Sequence, residues 1–112
     1  MIEKIVLDYL MSKLDVPVVL EIPPDEPDTF VLIQKVGSSV ENFIYSATLA
    51  LQSYAASKYE AAVLNELVKS LMDALPVSVD DVTKSKLNSD YDFTDATTKR
   101  YRYQAVYDVV HY

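Results

Sequence analysis

Between Asn42 and Tyr54 the side chains alternate with a period of two. Phe43, Tyr45, Ala47, Leu49 and Leu51 fall on one side, and Ile44, Ser46, Thr48, Ala50 and Gln52 on the other. Successive strand residues point to opposite faces, so this segment predicts one long strand. Both sides are partly apolar, so the second side is expected to meet another surface. A helix follows over 58–75. Ser57 and Glu60 match a capping box, in which the serine oxygen accepts an early helical amide. Ala61, Leu64, Leu67, Val68, Leu71, Met72 and Leu75 form its apolar stripe, and Pro76 follows its end.

The rest of the chain supplies partners for that pair. Residues 2–14 read as an amphipathic helix, with Ile2, Ile5, Val6, Tyr9 and Leu10 at three- and four-residue spacing. Asp15-Val16-Pro17 ends it, because proline pushes its predecessor out of the α region. Val18–Ile22 reads as a short strand. Pro23, Pro24 and Pro27 then enforce an acidic loop with Asp25, Glu26 and Asp28. A second strand covers 30–36, and Gly37-Ser38-Ser39 reads as a turn. Another strand starts near Val82, and Asn88-Ser89-Asp90 reads as a turn. The last strand covers 99–112, with Tyr101, Tyr103 and Tyr107 on one side. Strands outnumber helices and follow one another through short links. The expected fold is therefore α+β: one domain over 1–112, an antiparallel sheet of about four to five strands, and two helices packed on one face.

Composition narrows the function. The formal net charge is −7, which disfavours nucleic acid and anionic membranes as main partners. The tightest basic cluster is Lys99, Arg100 and Arg102. With one glycine there is no glycine-rich phosphate loop, and with no cysteine there is no disulfide or thiolate site. The N-terminus lacks the apolar stretch of a signal peptide, and no apolar run approaches the ~18–20 residues of a membrane span. Function without export by the usual secretory route is expected.

Catalytic signals are sparse. His111 is the only histidine, and a general base needs an oriented partner and a pocket. Two acidic clusters, Asp25/Glu26/Asp28 and Asp90/Asp92/Asp95, have the ligand chemistry for a hard cation. The second lacks the turn glycine and distal glutamate of a calcium loop, so solvated loop charge is the expected reading. No metal, cofactor or enzymatic activity is expected; a metal-dependent enzyme built on the aspartates is the remote alternative. The nine tyrosines are divided between a core role and an interface role.

Three stretches carry a family likeness: the opening helix running into VPVVLEIPPDEPDTFVLIQKVG, the passage IYSATLALQSYAASKYEAAVLNELVKSLM, and the ending LNSDYDFTDATTKRYRYQAVYDVVHY. Together they cover most of the chain. They resemble the tail terminator, or tail completion, proteins of long-tailed phages and prophages of Gram-positive bacteria. The resemblance implies a structural subunit that forms a ring, hexameric in expectation, at the head-proximal end of the tail tube. Its expected partners are further copies of itself, the tail tube protein and the head-side connector. Its expected location is the virion tail, after assembly in the host cytoplasm. A head–tail joining or minor tail adaptor is the alternative. The family brings no residue-level motif. From the residues alone, the acidic residues of 21–28 (Glu21, Asp25, Glu26 and Asp28) are expected to face Lys99, Arg100 and Arg102 of a neighbour, with Tyr101 and Tyr103 contributing to an interface.

Overall fold

The structure is a computed structural model that describes residues 1–98 and 100–112. Lys99, grouped above with Arg100 and Arg102, lies outside the described residues. The elements are α1 (Ile2–Lys13), β1 (Val18–Val19), β2 (Phe30–Glu41), β3 (Ile44–Ala55), α2 (Lys58–Asp73), α3 (Leu75–Ser78), β4 (Val82–Asp92) and β5 (Tyr101–His111). The fold is α+β. A five-stranded open sheet has the order β1-β2-β3-β5-β4, antiparallel except for the β1–β2 pair.

Both long helices pack on one face. Val6 and Leu10 of α1 and Val68 and Met72 of α2 meet Ile33, Leu49, Leu51 and Tyr107 from the sheet in one apolar core. A hydroxyl joins the helices: Tyr9 donates to the Leu71 carbonyl at 2.7 Å. The Ser57 oxygen accepts from the Glu60 amide at 3.2 Å, which is the serine half of the capping box. Losing such a cap costs about 1 kcal/mol.

Several expected boundaries are corrected. Gly37-Ser38-Ser39 does not turn the chain; it lies inside β2, just past a bulge between Lys35 and Gly37. The turn sits at Asn42-Phe43, so Phe43 is not a member of the apolar strand face. Val18–Ile22 contributes only the two residues of β1, because the prolines beyond it cannot donate to a ladder. Asn88-Ser89-Asp90 is no turn either; it lies within β4, where the register shifts between Leu87 and Ser89. The second helix ends at Asp73 and Pro76 falls in the separate α3, where a missing amide near the helix start is tolerated. Leu67 is exposed, not core. The last strand begins at Tyr101.

Element lengths shape the molecule. Strands β2 and β3 have 12 residues each, or about 40 Å of extended chain. Helix α2 has 16 residues, or about 24 Å. The longest dimension is 44 Å. The strands outrun the helix layer, and the far end of the β2–β3 hairpin projects as an arm.

Candidate functional site

The arm ends in a two-residue turn. Glu41 pairs with Ile44, and Asn42 and Phe43 between them have φ of +52° and +65°. Positive φ at both central residues matches the twist of a hairpin. Asn tolerates this region, whereas a phenylalanine there costs about 1–2 kcal/mol. Phe43 is also 95% exposed. Val36, Val40, Ile44 and Tyr45 add exposed apolar surface along the arm. At its base, on the helix side, Ile2, Val40, Tyr45, Ala47 and His111 line a pocket of about 380 Å³.

The sheet face away from the helices is ordered differently. The register places Leu32, Gln52 and Gln104 in one row across three strands. Gln52 Nε2 donates to Gln104 Oε1 at 2.9 Å and to Gln34 Oε1 at 3.1 Å. Gln52 Oε1 accepts from the Tyr54 hydroxyl at 3.0 Å. The network runs on from Gln104 to the Tyr91 hydroxyl and from Tyr54 to Arg102, whose guanidinium donates to the tyrosine oxygen at 2.7 Å. Gln52 is buried, so its amide needs these partners.

Arginines close the end of this face. Phe30 and Tyr54 stack with centroids 4.4 Å apart, and the Arg100 guanidinium lies over both, at 5.6 and 5.4 Å. Arg102 lies 4.4 Å from the Phe93 centroid and donates to the Phe93 carbonyl. Arg100 donates to the carbonyls of Asp28 and Pro27, and its Nε is 3.6 Å from Glu26. The acidic loop and Arg100 do meet, but within one chain. The guanidinium holds the loop down by cation–π and hydrogen-bond contacts. Asp25 and Asp28 keep exposed side chains. Tyr101 and Tyr103 lie on the helix-side face of β5, opposite Ala55 and Ser53, away from Arg102.

The second acidic cluster is dispersed. Asp90 accepts from Asn65 at 2.7 Å and pairs with Lys69. Asp92 accepts from the Thr94 hydroxyl and amide and lies 3.3 Å from Lys58. Asp95 accepts from the amides of Thr97 and Thr98. These donors hold the Asp92 and Asp95 carboxyls below the ordinary range, and Asp90 with Glu66 raises the Lys69 ammonium. Among the described residues no group of three acidic or histidine side chains is placed to hold a metal ion. His111 stacks beside Tyr45 at 5.9 Å, with Nδ1 2.9 Å from the Tyr112 carbonyl. No helix among the described residues is long and apolar enough to cross a membrane.

Sequence reading missed two features. The arm tip was hidden because Phe43 continues the apolar alternation; Asn42, the residue most tolerant of positive φ after glycine, was the available signal. The glutamine network shows in sequence only as one glutamine in each of three strands; pairing register sets Gln104 opposite Gln52 and puts Gln34 one step along on the same face. Neither a known family model nor a curated protein matches the chain. The phage-tail resemblance therefore stands on the three sequence stretches.

Proposed function

We propose that this chain is a structural subunit of a phage tail, of the terminator or completion kind, which works by self-association and docking without a cofactor. The observation that carries the reading is the projecting β2–β3 arm. Its tip holds a bulky aromatic side chain in a disfavoured backbone conformation and almost fully in solvent. A residue kept at a cost in folding free energy, where it contributes no burial, has its use in an intermolecular contact. The ring expected from the resemblance needs two different patches that meet head to tail. An arm at one end of the sheet and open strand edges at its sides supply such patches.

The test is co-sedimentation of the purified protein with tail tubes of the phage or prophage that encodes it, followed by electron microscopy. Density at one tube end, lost on Phe43→Ser, supports the reading. Binding to head connectors alone, with none to tubes, replaces it with the joining-adaptor role. Binding to neither structure removes the phage-tail reading.

A further inference from the structure

The two sides of the sheet carry opposite charges that no ion pair among the described residues engages. On the β4 side, Lys84 and Lys86 stand opposite Val110 and Asp108 of β5, on the face away from the helices. Both lysines are exposed. Asp108 stands across from Lys86 but makes no ion pair with it; its oxygens accept from Thr48 and Asn88. On the other side, Glu21 follows β1 by two residues, and Glu41 ends β2 on the same face as Ile44 and Ser46. Both glutamates are exposed. No ion pair among the described residues uses Lys84, Lys86, Glu21 or Glu41. The two edges of a five-stranded sheet lie four strand spacings apart, about 19 Å. That exceeds the Debye length of about 8 Å at physiological salt, so these charges are not partners within one molecule.

We infer that the β4 edge of one copy docks against the outer edge of β2 in a second copy, head to tail, with Lys84 and Lys86 seated between Glu41 and Glu21 of the neighbour. Three further observations fit this occupant. First, strand direction: β2 and β5 run one way and β3 and β4 the other. Two copies side by side in the same orientation therefore bring β2 and β4 together antiparallel. Second, β1 covers only Val31 and Leu32 of β2, which leaves the outer edge open from Gln34 onward. A groove of about 480 Å³ runs along it, lined by Glu3, Leu20, Ile33, Gln34, Lys35 and Val36. Third, row alignment: Lys84 shares a row with Ser39, Lys86 with Gly37, and Leu87 with Lys35. With no stagger between copies, the lysines fall between the level of Glu41 and that of Val19, which pairs with Leu32 two residues before Glu21. The part-exposed Leu87, on the helix-side face, arrives at the groove.

Lysines and bulges on an edge strand ordinarily discourage pairing. An acidic counterpart turns the same lysines into a selector: they repel a second β4 edge and accept only the β2 side. The contact is heterologous, so repeated copies close into a ring or extend as a filament. It deepens the assembly reading above by naming the joining patches, and its test is independent of any tail.

The experiment is charge reversal read by light scattering and sedimentation. Lys84→Glu/Lys86→Glu makes both sides acidic, and Glu21→Lys/Glu41→Lys makes both basic. All four side chains are exposed, so unchanged thermal melts confirm folding. Each double variant alone is expected to self-associate at least about tenfold more weakly than wild type. An equimolar mixture is expected to recover wild-type association, as an alternating assembly. Wild-type association is expected to weaken with added salt. Variants that associate like wild type, a mixture that fails to recover, or a wild type monomeric up to about 1 mM would each overturn the inference. Tube binding by a protein that fails this test leaves the tail reading standing and moves the joint elsewhere. Charge-dependent association without tube binding does the reverse.

Discussion

The two faces of this sheet are closed by different physics. Under the helices, Leu49, Leu51, Val68 and Met72 exclude water by apolar packing, and Tyr107 is drawn fully in with them. Its hydroxyl donates to Asp73 and contacts the Lys69 carbonyl. On the opposite face no helix among the described residues lies over the strands. Burial there depends on the glutamine row, the Phe30–Tyr54 stack and two arginines laid across it. An apolar layer tolerates small shifts of its members, whereas a hydrogen-bonded row holds only when every member is present. The helix-side face supplies cohesion. The other supplies a hydrogen-bonded surface, with Lys84 and Lys86 along one edge.

Substitutions on each face can break that contrast. The largest effect is expected on the helix side: Leu49→Ala should cost about 2–5 kcal/mol in urea unfolding, because a fully buried leucine leaves a cavity. Gln52→Ala should cost about 1–3 kcal/mol, since Gln34, Gln104 and Tyr54 lose a common partner. A loss within about 0.5 kcal/mol would mean the open face is ordinary solvated surface. Adding Gln104→Ala should then cost less than it does in the wild type, a coupling that a double-mutant cycle reads directly.

Tyr107→Phe sharpens the other side and should cost about 1 kcal/mol. Burial, then Asp73, raises the Tyr107 hydroxyl well above its ordinary value of 10.0. A raised folded-state value stabilises fully below pH 10 and is lost as pH climbs past it. The wild type should therefore lose stability in that alkaline range, and Tyr107→Phe should flatten the slope. The smallest effect has the opposite sign. Phe43→Asn should raise stability by a few tenths to about 1 kcal/mol, as a residue suited to positive φ replaces one that is not. The same variant should weaken docking to tail tubes.

Much of the helix-side architecture was legible in the chain because it follows local periods. The alternation in β3, the cap at Ser57 and the stripe of α2 each need only the residue and its near neighbours. Leu67 escaped because the stripe that meets the sheet is narrower than the apolar arc of the helix. Turn assignment failed where composition and register disagreed. Gly37-Ser38-Ser39 and Asn88-Ser89-Asp90 have turn chemistry, yet their strands continue through bulges held by long ladders on the neighbouring strand. At the candidate interface the chain showed which charges exist but not which are already engaged. Arg100 and Glu26 meet within one subunit, where the expectation set them across two. The lysines left over, Lys84 and Lys86, stand out only once pairing register puts them at a far edge.

The order β1-β2-β3-β5-β4 also has a consequence in time. Strand β5 is made after every other strand, yet it lies between β3 and β4. Until it arrives, β3 lacks a neighbour on one side and β4 has none at all. A nascent chain that has emerged as far as Asp92 thus holds a helix-backed hairpin and a dangling, unpaired β4 segment. Committed folding waits for the last-made strand to slot in as a wedge. Loss of that wedge, by truncation or by a proline near Ala105, removes two strand pairings at once and leaves β4 without any place in the sheet.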